Sequence, residues 1–258
     1  MKRKQIRQLT GGGLMLALVL VATYSIKIPV PFTQGYIHGG DSMIFLAAML
    51  FGWKIGALAG GIGSSLADLL GGYAHWALPT LLIKSVMGAL AGWVGKDLKD
   101  KKSKYSGFLL SMTMAGGWFA FILSLKTLLK TLVTARAAEL AGQIKGTASA
   151  GEVLLLSQKL EGQLFWLAIA VPVLILLLSL YLRKEDQKLF AVYRLLGMLL
   201  AGIWMVAGYY VAGGIMYGSF IVPIFSIPWN MVQFIIGLII AYLVIIALKK
   251  TPVSTFLE

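Results

Sequence analysis

The sequence predicts an all-α fold, a polytopic bundle of membrane-spanning helices, and three observations support that prediction. First, 59% of the 258 residues are hydrophobic and 13% are charged, whereas soluble globular chains average about 45–50% apolar and about 25% charged residues. Second, eight segments approach the roughly 20 apolar residues that a helix needs to cross a bilayer. Third, no series of short alternating segments suggests a membrane β-barrel, and lipid favours helices because it offers no partners to backbone polar groups.

The predicted spans follow one another along the chain. The second and third are short and meet at residues 52–54, so they are either two crossings or a buried hairpin that does not fully span. The first span follows a basic start like that of a signal peptide. We do not expect it to be cleaved, because it is long, no small-x-small cleavage site follows it, and further spans come after it. We therefore expect eight spans, at residues 9–26, 41–53, 55–70, 77–95, 106–125, 163–182, 195–217 and 229–248.

The positions of Lys and Arg predict the orientation of the bundle. Cytoplasmic connections close to spans collect basic residues, and the short connections of this chain agree with a cytoplasmic N-terminus. Eight spans then place both termini in the cytoplasm. The formal net charge of +13 is explained by contact with the anionic inner leaflet of the lipid bilayer, so nucleic acid is not a predicted partner.

One membrane domain with an inserted segment is predicted. Residues 1–104 hold spans one to four with an outer loop at 27–40, and residues 189–258 hold the last two spans. Between them, residues 105–188 form an inserted helical hairpin whose outer segment, 126–161, contains alanines that favour helix. This outer segment is expected either to stand above the membrane or to act as a lid over an outer site.

Several kinds of site are excluded by residues that the sequence lacks. Cysteine is absent and there are two histidines, His38 and His75, so neither a thiolate nor a histidine metal centre is expected. The phosphate-binding loop G-x-x-x-x-G-K-[ST] and the zinc motif H-E-x-x-H are also missing. The sequence therefore predicts no metal, no cofactor and no enzymatic activity. An integral-membrane enzyme is a further alternative, and turnover of a lipid or peptide would be the observation in its favour.

Ionisable side chains inside the spans are the first candidates for a functional site. Each costs on the order of 2.5–3.5 kcal/mol to insert into a membrane. Asp41, Asp68 and Lys84 meet this description, and the predicted topology brings all three to the outer half of the bundle. They are expected either to neutralise one another as a buried pair or to form a polar pocket for a small solute, and both roles are compatible.

Aromatic and amide side chains lie at the same outer level. An aromatic cluster there is either an interfacial belt or a stacking surface for a ring, and buried amides either bond to other helices or contact a ligand. Asn230 and Gln233 are spaced i, i+3 and so share one helix face. The candidate substrate-binding residues are therefore Asp41, Asp68, Tyr73, His75, Trp76, Lys84, Tyr209, Asn230 and Gln233.

The first span carries small residues at helical spacing. Gly13 and Ala17 lie at i and i+4, and such a pair allows another helix to approach closely within lipid. The partner is either another helix of this chain or a separate protein that docks on this face.

Several motifs, in order, resemble the substrate-binding S components of energy-coupling factor (ECF) vitamin transporters, in particular the riboflavin-type, pyridoxine and hydroxymethylpyrimidine carriers. The similar stretches cover most of residues 9–95 and 195–248. They include Gly39-Gly40-Asp41, the glycine-rich run at 56–73, Ile83-Lys84, Gly208-Tyr209-Tyr210 and Ile227-Pro228-Trp229-Asn230.

The resemblance implies a six-helix S-component core, to which this chain adds the inserted two-helix hairpin. It also implies capture of a vitamin on the outer face of a bacterial cytoplasmic membrane, followed by delivery through a membrane coupling protein that carries two ATPase subunits. Gly13 and Ala17 match the family's coupling surface. The expected ligand is a small heteroaromatic vitamin or precursor, of the B6 or thiamin-pyrimidine type first and riboflavin second. The alternative is a stand-alone secondary transporter, in which Asp41 or Asp68 would bind a proton or ion.

Overall fold

A computed structural model describes residues 3–30, 35–97, 104–142, 144, 146–182 and 186–248. Parts of the predicted outer loop (31–34), of the lysine-rich connection (98–103) and of the hairpin's end (183–185), as well as both termini, lie outside the described residues. The all-α prediction is confirmed. The helices are α1 (Arg3–Ser25), α2 (Gly40–Phe51), α3 (Trp53–Leu70), α4 (Ala74–Gly92), α5 (Lys104–Leu140), α6 (Ala150–Leu182), α7 (Asp186–Met216) and α8 (Ile227–Leu248).

In the described part of the chain, six helices are long and apolar enough to cross a membrane, namely α1, α4, α5, α6, α7 and α8. The 12 residues of α2 rise only about 18 Å, less than the roughly 30 Å of a hydrocarbon core. Helices α2 and α3 are joined at Gly52, whose φ of +85° suits glycine. Two full crossings by these helices therefore stay a prediction.

A six-helix core with an attached hairpin is the arrangement observed. Helices α1, α2, α3, α4, α7 and α8 pack against one another, and the closest pair within this core is α3 with α4. Glycines make that approach possible, because a Cβ on Gly88 would lie 2.1 Å from the backbone oxygen of Gly56. The indole Nε1 of Trp204 donates to the carbonyl of Ile83 at 3.1 Å and so ties α7 to α4.

The inserted hairpin consists of α5 and α6, which pack mainly on each other and touch the core chiefly at α7. Helix α5 extends into the predicted outer segment as far as Leu140, with a kink at Arg136 (φ −130°, ψ 23°). Helix α6 begins with a capping box, in which Glu152 Oε2 accepts from the backbone N–H of Ser149 at 3.3 Å and Ser149 Oγ accepts from the backbone N–H of Glu152 at 3.3 Å. Most of the described outer segment is thus helical. The rings of Phe121 and Tyr210 mark the contact of the α5–α6 hairpin with α7, at 6.5 Å between centroids.

Candidate functional site

The segment between α1 and α2 forms a cover over one end of the core. Strand β1 (Lys27–Pro29) pairs antiparallel with β2 (Tyr36–His38), where the sequence predicted an ordered non-helical loop. The ammonium group of Lys27 lies 4.3 Å, 5.3 Å and 5.7 Å from the ring centroids of Tyr24, Tyr36 and Tyr73. These cation–π contacts hold the hairpin to α1 and to the turn between α3 and α4.

A cavity lies beneath this hairpin, between α3, α4, α7 and α8. Its void is about 570 Å³ including the opening toward solvent. No residue of the described α5–α6 hairpin lines the cavity. This observation gives no support to the hypothesis that the outer segment acts as a lid over the site. The polar and aromatic lining residues are Tyr36, His38, Asp68, Trp76, Thr80, Tyr209, Tyr217, Ser226, Asn230 and Gln233.

Aromatic rings form one wall of the cavity. The ring centroid of Trp76 lies 5.7 Å from that of Tyr209 and 6.2 Å from that of Tyr217, and both pairs are steeply tilted. The Tyr209 hydroxyl pairs with the Thr80 hydroxyl at 3.1 Å. These rings, from α4, from α7 and from the residue directly after α7, pack on one another and form a continuous aromatic surface.

Asp68 brings a carboxylate to the cavity from the last turn of α3. Its Oδ1 accepts a hydrogen bond of 2.5 Å from the hydroxyl of Tyr36, and the Thr80 hydroxyl lies close to the carboxylate. Burial, together with the bond to Asp68 and its negative charge, raises the pKa of Tyr36 above its ordinary value. Tyr36 therefore stays protonated and acts as the donor of this bond.

A buried polar network lies below the cavity and reaches the hairpin. Lys84 and Asp41 form an ion pair whose side chains are both 0% exposed. Gln233 Nε2 donates to Asp41 Oδ2 at 2.9 Å, and Gln233 Oε1 accepts from the backbone N–H of His38 at 3.0 Å. The network thus connects α4, α2 and α8 to strand β2, and both functional groups of the Gln233 amide are used.

His38 presents an uncharged imidazole to the cavity. Its Nδ1 accepts a hydrogen bond of 3.1 Å from the backbone N–H of Gly40, so the neutral ring carries its proton on Nε2. Burial, assisted by the positive charge of Lys84, lowers the pKa of His38 to about 3. The ring is therefore a hydrogen-bond donor at neutral pH.

The structure brings together five of the nine predicted binding residues as lining of one cavity: Asp68, Trp76, Tyr209, Asn230 and Gln233. Asp41 and Lys84 form the ion pair below it, so their predicted mutual neutralisation is what the structure contains. Tyr73 packs on the Tyr36 ring at 4.6 Å, outside the lining. His75 is exposed and does not line the cavity.

Other lining residues were not among the predicted ones. Tyr36 and His38 lie in a loop, where no helical period marks a face. Thr80 precedes Lys84 by four residues on the same helix, so its spacing contained a usable signal. Tyr217 is the last residue of the predicted span 195–217 and comes directly after α7 in the structure.

The predicted docking face on α1 is open. Gly13 and Ala17 are exposed, and no atom lies within 4 Å of a Cβ built on Gly13. The opposite face of α1 packs inward, since a Cβ on Gly11 would meet the ring of Phe51 at 2.5 Å. The small residues at 13 and 17 therefore do not serve packing within the described part of this chain.

The sequence comparisons identify the family. The model of the family "ECF-type riboflavin transporter, S component" matches residues 3–155 and 163–250. The chain belongs to this family. This S component is thus part of a membrane transporter and not an enzyme. Among the described residues, no group of three His, Asp or Glu side chains is placed to hold a metal ion.

Two curated proteins are similar to this S component. An uncharacterised protein of Pyrococcus woesei is 54% identical over 66 residues, which cover 26% of this chain and 44% of that protein. The thiamine precursor transporter HmpT of Lactococcus lactis subsp. cremoris (strain MG1363) is 33% identical over 121 residues, which cover 46% of this chain and 69% of that protein. The match thus spans less than half of the Pyrococcus protein. No solved structure matches the chain.

Proposed function

We propose that this S component captures a small heteroaromatic vitamin or vitamin precursor in the cavity beneath the β1–β2 hairpin. The observation that carries the proposal is the cavity itself, which combines aromatic walls from Trp76, Tyr209 and Tyr217 with a few polar groups. Mostly apolar pockets with few, well-placed polar groups are typical of small-molecule sites. The predicted topology supports an opening on the outer side of the membrane, beneath the β1–β2 hairpin.

The ligand is proposed to be of the B6 or thiamin-pyrimidine type first, and riboflavin second. A single ring needs less of the void of about 570 Å³, which includes the opening toward solvent, than a three-ring flavin does. The similarity to a thiamine precursor transporter supports the smaller ligand, whereas the family description supports the larger one.

Delivery into the cell is proposed to need partners, a membrane coupling protein and two ATPase subunits. The sequence contains no G-x-x-x-x-G-K-[ST] loop, so this chain does not supply that kind of ATP site. The exposed face of α1 around Gly13 and Ala17 is the proposed contact with the coupling protein, because small residues permit close helix approach in lipid. The proposed location is a bacterial cytoplasmic membrane, with both termini in the cytoplasm.

Equilibrium binding to the purified chain tests the proposal. Isothermal titration calorimetry with pyridoxine, the aminopyrimidine half of thiamin and riboflavin is expected to give one saturable ligand with a stoichiometry of one. Asn230 has a single long hydrogen bond, 3.5 Å from its Nδ2 to Ser226, so its amide can serve a ligand. Asn230→Ala should weaken binding about tenfold. Failure of all three compounds to bind would reject the proposed cavity.

A stand-alone secondary transporter is the second candidate, and one observation favours it. Asp68 has no ion-pair partner among the described residues, so its carboxylate could take up a proton during transport. Proteoliposomes that contain this chain alone distinguish the two functions. The S-component proposal expects uptake only when the coupling protein, the ATPase subunits and ATP are present, whereas uptake driven by a proton gradient alone would favour the second candidate.

A further inference from the structure

Two polar atoms at the cavity are buried without a partner. Asp68 is 4% exposed and Trp76 is 8% exposed. In the described part of the chain, no hydrogen bond of ordinary geometry reaches Asp68 Oδ2 or Trp76 Nε1, although both residues line the cavity and the Thr80 hydroxyl, paired with Tyr209, lies close to the Asp68 carboxylate. Buried polar atoms are nearly always paired in native proteins. One unpaired acceptor and one unpaired donor at the same cavity therefore mark contacts for a ligand.

The local backbone brings the two side chains to the same place. The N–H of Tyr73 donates to the carbonyl of Asp68 at 2.9 Å, and the N–H of Trp76 donates to the carbonyl of Tyr73 at 2.8 Å. This tight turn connects the last turn of α3 to the first turn of α4. The acceptor and the donor thus lie at the ends of two helices and not on the β1–β2 hairpin.

The charge at the cavity is acidic. Among the described residues, its lining contains the Asp68 carboxylate but no lysine or arginine. Lys84 lies below it and is paired with Asp41, while Lys27 is held among tyrosine rings in the hairpin. A ligand that carries a negative charge would therefore meet a carboxylate with no basic lining residue to offset it.

We infer that Asp68 and Trp76 determine which class of ligand binds. That ligand is an uncharged or cationic nitrogen heteroaromatic ring with an exocyclic amine. The amine donates to Asp68 Oδ2, and a ring nitrogen accepts from Trp76 Nε1. An analogue in which a ring carbonyl replaces the amine presents the opposite pattern, with an acceptor facing Asp68. This inference rests on the proposed function and narrows its ligand to aminopyrimidines in preference to pyridoxine, riboflavin or any phosphate ester.

A matched ligand series tests the inference on the purified full-length chain. The probes are the aminopyrimidine half of thiamin, its deaminated carbonyl analogue, its phosphate ester, pyridoxine and riboflavin, each titrated calorimetrically. The aminopyrimidine should bind tightest, and the carbonyl analogue and the phosphate ester should each bind at least about tenfold more weakly. Equal binding of the carbonyl analogue, or tighter binding of the ester, would overturn the inference. Tightest binding of pyridoxine or riboflavin would overturn it but leave the proposed function standing, and no binding of any ring would overturn both.

Two variants separate ligand recognition from a structural role. Asp68→Asn replaces the carboxylate with an amide that can donate a hydrogen bond. It should therefore weaken binding of the aminopyrimidine at least about tenfold and strengthen binding of the carbonyl analogue. Trp76→Phe removes the donor together with part of the aromatic surface, so it should weaken binding of both ligands and keep their order. Glu139→Gln and Trp166→Phe, at exposed sites on the α5–α6 hairpin, are the matched controls and should leave affinity unchanged. Equal weakening of every ligand by Asp68→Asn would overturn the inference.

Discussion

Replacement of Lys84 by Met should destabilise the core because it leaves the Asp41 carboxylate buried without its ion partner. Both side chains are 0% exposed, and loss of one member of such a pair costs about 3–5 kcal/mol. Gln233 still donates to Asp41 Oδ2 at 2.9 Å, a bond that stabilises the remaining charge by about 1.5–3 kcal/mol. We therefore expect the free energy of unfolding to fall by about 3 kcal/mol, at the lower end of the range.

A double-mutant cycle measures this effect. Lys84→Met, Asp41→Asn and the double variant would be unfolded by denaturing detergent in mild micelles, with helical content followed by circular dichroism. The double variant removes both charges and keeps the side-chain volumes, so it should be more stable than Lys84→Met alone, with a coupling energy of about 2 kcal/mol. Lys54→Met, at an exposed position, is the matched control. Strict additivity of the two single variants would refute the reasoning.

Three further predictions concern the docking face on α1, the β1–β2 hairpin and the packing of the core. Leucine at both Gly13 and Ala17 should leave ligand affinity unchanged but reduce ATP-driven uptake by the reconstituted complex to background, and unchanged uptake would place docking elsewhere. The free energy of unfolding should fall as pH decreases from about 6.5 toward 3, by at most about 1.4 kcal/mol per pH unit. In the unfolded chain the His38 imidazole binds a proton over this pH range, whereas in the folded state, where its pKa is about 3, it does not. His38→Gln should therefore flatten the dependence of the free energy of unfolding on pH. Gly88→Ala puts a Cβ 2.1 Å from a backbone oxygen of α3 and should cost about 1–3 kcal/mol in detergent unfolding, whereas Gly117→Ala, with open space around its Cβ, should be neutral.

The helices could be predicted from sequence because each depends on a local property, a long apolar run. Asp41, Asp68 and Lys84 could be identified for a related reason. An ionisable group within such a run costs free energy on insertion into a membrane, so it marks a buried pair or a functional site. The length of α5 was harder to predict. Its apolar run ends near Leu125, but helix-forming residues continue the helix to Leu140, where hydropathy no longer marks it.

The pairing of side chains could not be predicted, because it depends on how helices rotate and cross. Lys84 was equally able to pair with Asp68 or Asp41, and the rotation of α4 against α2 and α3 selects Asp41. The same holds for the aromatic cluster, in which Trp76 faces the cavity while its neighbour His75 is exposed. The β1–β2 hairpin has strands of three residues, too short for an alternating pattern, and so the roles of Tyr36 and His38 were missed.

The central claim is that the cavity beneath the hairpin holds a small nitrogen heteroaromatic ring. Mass spectrometry of the small molecule released from the chain after purification in mild detergent tests this claim most directly. The account predicts one single-ring compound with an exocyclic amine, which is lost from the Asp68→Asn variant and retained by Glu139→Gln. Release of a phosphorylated, anionic or purely aliphatic compound, retained equally by both variants, would contradict it.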